Sequence, residues 1–241
     1  MNDIDLTIIL PVKNQEENIR KNMNSIIDYA KRRDIKLIAV ENDSRDRSLK
    51  LLEEYRNANV EVLDLITYKN GKGKGEAIKR GILAATTKYA AFMDIDLSVP
   101  LSYSDDAIAL LDRYDIIIGD RYSNRATRRK LNRLVESKVY NGIVRALFNT
   151  EIDDHQCGFK FFNREKIAKL IRYVKDDRWF FDTELLVLAR RLDLSIYQLP
   201  VSYSDTSSST LSSFDMVYFL KSIIEFKIRL GKTLCDIRSN V

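Results

Sequence analysis

Ala90-Ala91-Phe92-Met93-Asp94-Ile95-Asp96-Leu97-Ser98-Val99-Pro100 decides how the rest of the chain is read. An apolar run stops at two carboxylates separated by one residue, and a proline follows. In an extended chain, positions i and i+2 point to the same side. The run therefore reads as a buried strand that delivers Asp94 and Asp96 together to a sheet edge. Two converging carboxylates suit a hard cation such as Mg²⁺ or Mn²⁺, which takes oxygen ligands and shares them with phosphates. Taken alone, the same pattern also describes a solvated loop carrying two acids, so its neighbours decide.

Upstream, Leu6 to Val12 is a continuous apolar run ending at Pro11-Val12, the pattern of a strand buried on both faces. Ile19, Met23, Ile26, Ile27 and Ala30 then recur at helical spacing. Lys36 to Val40 reads as a second strand and ends in Glu41-Asn42-Asp43-Ser44-Arg45-Asp46, where Ser44 or Asp46 can cap the next helix. A third strand is expected at Val60 to Asp64. In Tyr68-Lys69-Asn70-Gly71-Lys72-Gly73-Lys74-Gly75, three of only eight glycines alternate with lysines before a helix. Glycines admit a close ligand and a helix start favours anions. A flexible turn with solvated lysines is the competing reading, and the Walker phosphate-loop spacing is absent.

Downstream, Asp105 to Leu111 reads as a helix and Asp115 to Arg121 as a fifth strand with a charged end. Alternating strands and helices imply an α/β fold of three layers, α/β/α, around a mostly parallel sheet. Ligands of such sheets bind beyond the carboxyl ends of the strands. Glu41, Asp94, Asp96, Asp120 and Arg121 all fall at such ends.

The later half is more basic. Arg121 to Arg145 holds eight basic residues against the single acid Glu136. It reads as a helix whose apolar side carries Leu131, Leu134, Val135, Val139, Ile143, Val144 and Leu147. This is either a core helix with a solvated basic face or a surface for phosphates and membranes. The only histidine, His155, suits a structural hydrogen bond better than catalysis. Asp182 and Glu184 open a helix, either as first-turn acids favoured by its dipole or as catalytic carboxylates. Ser195 to Val201 is a late strand, Ser207 to Thr210 a polar loop, and Phe214 to Leu230 a final amphipathic helix.

Composition sets outer limits. The chain has 241 residues, 45% hydrophobic and 31% charged, and a net charge of +5. That suits one folded unit, and argues against long disorder. The two separated cysteines, Cys157 and Cys235, make no disulfide framework and favour a reducing compartment. No signal peptide opens the sequence, and no apolar run approaches the roughly 20 residues of a membrane span. The basic excess is local and lacks a recognition module, so nucleic acid is not an expected partner.

The ordered set of motifs resembles glycosyltransferase family 2 with the GT-A fold. The resemblance rests on Val12-Lys13-Asn14-Gln15-Glu16, Val40 to Asp46, Gly71-Lys72-Gly73-Lys74-Gly75 and Asp94-Ile95-Asp96. Gly119-Asp120-Arg121, Gln156-Cys157-Gly158-Phe159-Lys160 and Phe181-Asp182-Thr183-Glu184-Leu185 look like the branch with dolichyl-phosphate glucosyltransferases and mannosyltransferases. The likeness covers roughly residues 5 to 230, and the segment Gln156 to Lys160 is its most specific part. One departure is Glu41-Asn42-Asp43-Ser44 where the family usually has Asp-Asp-Gly-Ser, which leaves the nucleobase and the sugar open.

The resemblance implies a metal-dependent, inverting transfer of sugar from a UDP- or GDP-sugar to a polyprenyl phosphate. By position, Pro11, Val12, Asn14 and Glu16 would lie by the nucleoside, and Glu41 and Asn42 by the ribose and base. Lys74 would lie near the diphosphate or base, while Asp94 and Asp96 would hold Mg²⁺ or Mn²⁺. Arg121, with Arg125, Arg128, Arg129 and Arg133, would position the lipid phosphate. Gln156, Gly158 and Lys160 form the acceptor-side motif. Asp96 and Arg121 are the catalytic candidates, joined by Asp182 and Glu184 where a base is needed. One domain, 1–241, is expected: a nucleotide-sugar half at 5–100, an acceptor half at 101–213 and a C-terminal helix at 214–241. Placement on the cytoplasmic face of a membrane, as a peripheral enzyme, follows from the same resemblance. A saccharide or protein hydroxyl acceptor, or a catalytically silent scaffold, are the alternatives. A sugar-nucleotide pyrophosphorylase would need a Gly-x-Gly-Thr-Arg loop near the first strand, which is missing.

Overall fold

The computed structural model describes residues 4–124, 127, 131–204 and 213–239, with backbone alone for 131 and 213–216. Among the described residues, seven strands and eight helices follow one another, beginning β1 (Leu6–Val12), α1 (Glu16–Arg33), β2 (Lys36–Asn42), α2 (Ser48–Ala58), β3 (Leu63–Tyr68), α3 (Lys74–Ala84), β4 (Tyr89–Met93) and α4 (Tyr103–Ile108). They continue with β5 (Ile116–Asp120), α5 (Leu131–Phe148), β6 (Phe159–Asn163), α6 (Arg164–Ile171), α7 (Phe181–Arg191), β7 (Ile196–Pro200) and α8 (Ser213–Ser239). The strands form one sheet in the order β3-β2-β1-β4-β6-β5-β7. All neighbours are parallel except β6, which runs antiparallel to both β4 and β5. The expected three-layer α/β architecture is therefore present.

Alternation along the strands builds two cores. Ile9, Val40, Phe92, Ile118 and Phe162 face one side, with α3, α6, α7 and α8 packed over them. Ile8, Leu10, Ala39, Met93, Ile117 and Phe161 face the other, under α1 and α2. Helix α1 shows why the local sequence folds as it does. Its buried face is Ile19, Met23, Ile26, Ile27 and Ala30, the stripe expected from spacing. It stops at Asp34, whose left-handed backbone (φ 51°) returns its N–H to the Ala30 carbonyl.

Three expectations shift. The third strand begins at Leu63, because Val62 and Leu63 donate to the Asn59 carbonyl in a turn and only then join β2. The expected basic helix starts at Leu131, after bends at 121–123. On its supposed core side Val144 is buried, but Val135, Val139 and Leu147 are exposed. The aromatic segment Phe159–Phe162 is a strand as expected, yet it lies in the middle of the sheet, reversed. Among the described residues, no helix is long and apolar enough to cross a membrane.

Candidate active site

Reversal of β6 is what assembles the site. Parallel strands bring their carboxyl ends to one edge; an antiparallel strand brings its amino end there. Register pairs Met93 with Phe159 and Phe92 with Lys160. Gly158 therefore stands beside Asp94, and the Asp94 N–H donates to the Gly158 carbonyl at 3.0 Å. A β-carbon on residue 158 would lie 1.9 Å from Asp94 Oδ2. Only glycine leaves room for that carboxylate.

Asp94 Oδ1 meets the Lys74 ammonium at 2.5 Å, with 39% of the Asp94 side chain still open to solvent. Surrounding protein nonetheless withdraws the carboxyl from bulk water and raises its pKa, against the pull of Lys74 and with the Asp96 charge adding to the rise. For Lys74 the balance is opposite: burial disfavours the ammonium, but Asp94, Asp182 and Asp96 outweigh it and raise its pKa. Asp96 turns back on the following loop, accepting from the Ser98 N–H at 3.0 Å and the Ser98 hydroxyl at 2.7 Å.

A second lysine lies beneath. Lys160 is fully buried and donates to Asp182 Oδ1 at 2.7 Å and to the Cys157 carbonyl at 2.6 Å. Both ammonium groups lie over Phe92, Lys74 at 5.9 Å and Lys160 at 5.2 Å from the ring centroid. The expected group Lys74, Asp94, Asp96, Gly158, Lys160 and Asp182 is thus brought together, with Phe92 at its centre.

Glu184 is not part of it. Two positions along a helix turn a side chain to another face. Its carboxylate is buried, accepting from the N–H groups of Lys175 (2.8 Å) and Asp176 (3.1 Å) and pairing with Arg229 of α8 at 2.7 Å. It ties the 175–176 loop and α8 to α7. Arg121 is buried as well: it grips Asp154 through Nε (2.5 Å) and Nη2 (2.7 Å) and lies over the Tyr203 ring at 5.0 Å. These partners lie far away in sequence, and Asp154 and Tyr203 carried no signal beyond residue type. Arg133 sits half-buried on α5, and Arg125, Arg128 and Arg129 lie outside the described residues.

His155 has the structural role its isolation suggested. Asn141 Nδ2 donates to Tyr122 and to the Ser137 carbonyl, so Asn141 Oδ1 is left to accept from His155 Nδ1–H at 2.8 Å. His155 Nε2 then accepts from Thr150 at 3.1 Å. Burial lowers the imidazole pKa to about 3. Gln156 donates to the Trp179 carbonyl at 3.2 Å, steadying the approach to α7.

The donor-side residues form a second, adjoining group. The β1 and β2 ends are laced together: Asn14 receives from Arg45 N–H and donates its own N–H to Ser44, while Glu16 receives from Arg47 N–H and pairs with Arg20. Pro11 and Val12 carry β1 to this edge. Glu41, buried, accepts from the Ser44 N–H at 2.6 Å. Asn42 donates to the Gly73 carbonyl at 2.9 Å, but its Oδ1 is buried without a hydrogen-bond partner. The Tyr68 hydroxyl nearby is in the same position, and Gly71 lies between the two. Buried polar atoms without partners are costly, and ligands commonly supply what is missing. The glycine loop itself is closed by protein: Gly75 N–H donates to Arg178 O and Glu76 N–H to Asp177 O. The Lys74 side chain, rather than a bare helix start, faces the site, while Lys72 pairs with Asp177 at 3.1 Å.

The donor set suits a divalent cation. Two carboxylates follow one strand, one of them cradled over a glycine and already holding a positive group. Two protein oxygen ligands completed by phosphate and water is a usual arrangement for Mg²⁺ or Mn²⁺. A wide hollow between α1 and α4, lined by Asp28, Tyr29, Arg32 and Asp105, lies apart from all of these residues.

A single mixed sheet with two carboxylates following a central strand is the frame in which the comparisons with known proteins place a nucleotide-sugar transferase fold. Residues 7–171 match the model of glycosyl transferase family 2. The chain belongs to glycosyl transferase family 2, enzymes that transfer a sugar from a nucleotide sugar. It is 27% identical over 260 residues to a dolichyl-phosphate beta-glucosyltransferase of Dictyostelium discoideum, spanning 99% of this chain and 79% of that one. The corresponding Homo sapiens enzyme is 24% identical, with 87% and 70% covered. In structure, the chain resembles glucosyl-3-phosphoglycerate synthase from Mycobacterium tuberculosis, solved with Mn²⁺, UDP and glucosyl-3-phosphoglycerate. The TM-score is 0.65 at 17% identity, over 94% of this chain and 79% of that one.

Proposed function

We propose that this enzyme transfers a sugar from a UDP- or GDP-sugar to a polyprenyl phosphate at a membrane surface, with inversion at the anomeric carbon. The observation that carries the reading is the Asp94 carboxylate seated over Gly158, with Asp96 and Lys74 beside it. Asp94 and Asp96 would hold Mg²⁺ or Mn²⁺, whose charge stabilises the departing nucleoside diphosphate. Lys74 adds a positive charge to the same developing anion. Pro11, Val12, Asn14 and Glu16 frame the nucleoside, and Glu41 and Asn42 meet ribose and base; the partnerless Asn42 Oδ1 supports this. One acceptor-phosphate oxygen forms the new bond to the anomeric carbon as the bond to the diphosphate breaks.

A phosphate oxygen is already anionic at neutral pH and needs positioning rather than deprotonation. That suits this site, where both carboxylates considered as a base are held by protein: Glu184 by Arg229 and two backbone N–H groups, and Asp182 by Lys160. Lys160 and Gln156 order the acceptor-side loop. Arg121, through Asp154, orders the bend after β5, and Arg133 of α5 would help to position the acceptor phosphate. Distant similarity to dolichyl-phosphate glucosyltransferases supports the lipid acceptor. So does α8, whose Val217, Leu220, Ile224 and Ile228 form one exposed apolar stripe flanked by Lys221 and Lys227.

The test is incubation with a panel of UDP- and GDP-sugars, polyprenyl phosphate in vesicles, and Mg²⁺ or Mn²⁺. Metal-dependent appearance of sugar in the lipid phase is expected, and its loss in Asp96→Asn. Transfer only to saccharide or protein hydroxyls would replace the acceptor; donor binding with no turnover on any acceptor would sink the enzyme reading.

A further inference from the structure

Lys74 and Lys160 lie over one phenylalanine ring and each pairs with an aspartate, yet they are held very differently. Lys160 has no exposed surface and two acceptors, Asp182 and the Cys157 carbonyl, that fix its ammonium in place. Lys74 retains 18% of its side-chain surface and reaches a single carboxylate, Asp94, at the mouth of the site. Its backbone cannot follow a moving ligand. The next two N–H groups are bound to Arg178 O and Asp177 O. Glycines on either side are packed so closely that a β-carbon would fall 2.7 Å from Asp177 O at position 73 and 2.6 Å from Phe181 Cβ at position 75. The mobile part is the four-carbon stem alone, carrying a compact charge.

We infer that Lys74 is a resident cation that holds Asp94 until a diphosphate draws it away, so that divalent metal and nucleotide bind cooperatively. The inference rests on the metal reading proposed above. A divalent ion arriving alone must share Asp94 with an ammonium 2.5 Å from one of its oxygens, and like charges at that range repel. A diphosphate arriving with the metal offers the ammonium another anion within reach of its stem. Lys74 then exchanges one negative partner for another, and Asp94 is released to the metal. Coupling of this kind is reciprocal: nucleotide raises metal affinity by the factor by which metal raises nucleotide affinity. Before donor arrives, the same pair keeps Asp94 and Asp96 from acting as an open trap for any divalent ion.

The test measures Mn²⁺ binding to the nucleotide-free protein by electron paramagnetic resonance of free Mn²⁺, checked by calorimetry. Lys74→Met is expected to bind Mn²⁺ at least about tenfold more tightly than wild type, whereas Lys74→Arg, which keeps the charge, stays near wild type. Adding Asp96→Asn to Lys74→Met is expected to abolish the gain. Lys74→Gln repeats the measurement with a polar neutral side chain, should the methionine variant fail to fold. Unchanged or weaker Mn²⁺ affinity in both neutral variants overturns the inference, while Mn²⁺-dependent binding of UDP or GDP by wild type leaves the metal reading standing. Absence of that dependence in wild type removes the metal reading itself.

Discussion

Gly158 and Asp94 share one space: the carboxylate fills the position that a side chain on residue 158 would take, 1.9 Å from its β-carbon. Gly158→Ala must therefore push Asp94 out of place. A cost of about 1–3 kcal/mol is usual for overpacking a tight position. Denaturant unfolding is expected to show a loss in that range with the fold retained. Mn²⁺-dependent binding of whichever of UDP or GDP the wild type takes should fall at least about tenfold, and an unchanged affinity would show that Asp94 is not a metal ligand.

Lys160 and Asp182 give a cleaner measure of a buried pair. Removing one partner from such a pair typically costs about 3–5 kcal/mol, because the other charge is left buried alone. Lys160→Met is expected to lie in that range by urea titration. Lys160→Met with Asp182→Leu should recover most of the loss. If the single variant is as stable as wild type, the pair is not holding β6 to α7.

His155 makes acid stability predictable. Its folded pKa is about 3, below the ordinary value of 6.5. As pH falls through 6.5 the unfolded chain takes up a proton that the folded chain refuses. The folded state is therefore favoured fully above that pH and loses ground down to about pH 3, by up to about 1.4 kcal/mol per pH unit. Unfolding free energies of wild type and His155→Gln between pH 4 and 7 should converge towards the acid side. Parallel curves would refute the burial of a neutral imidazole.

The proposed membrane attachment through α8 can be tested separately from catalysis. Ile228 is 80% exposed and Ile224 59%. Replacing both with glutamate leaves the core untouched, so the thermal midpoint should hardly move. Partition onto anionic vesicles should drop at least about tenfold, with sugar transfer falling only when the acceptor is presented in vesicles. Equal partition of wild type and variant would place the lipid contact elsewhere.

Much of this was legible before the structure. Continuous apolar runs marked β1, β2, β4 and β5, since strands buried on both faces have no polar alternation to confuse them. Their polar ends named Glu41, Asp94 and Asp120 as edge residues. Edge strand β3 was misplaced by a few residues: only one of its six residues is fully buried, so its pattern is weak. The reversal of β6 was not legible, because strand direction depends on partners more than forty positions away. Separations of 33 and 45 positions likewise hid the pairing of Arg121 with Asp154 and of Glu184 with Arg229. Residue type announced those charges; only the fold says whether each is spent on a protein partner or offered to a ligand.

The central place of β6 has a consequence for how such enzymes can be recombined. A strand from the second half of the chain completes the sheet between β4 and β5, and the glycine just before it lies beneath Asp94. The two halves of the chain are consequently not cassettes. A chimera joined after β5 would bring a foreign strand into the middle of the sheet, where its register would have to match Met93 and Ile118 at once. Acceptor preference is better exchanged through the loops and helices outside β6, leaving that strand native to its host.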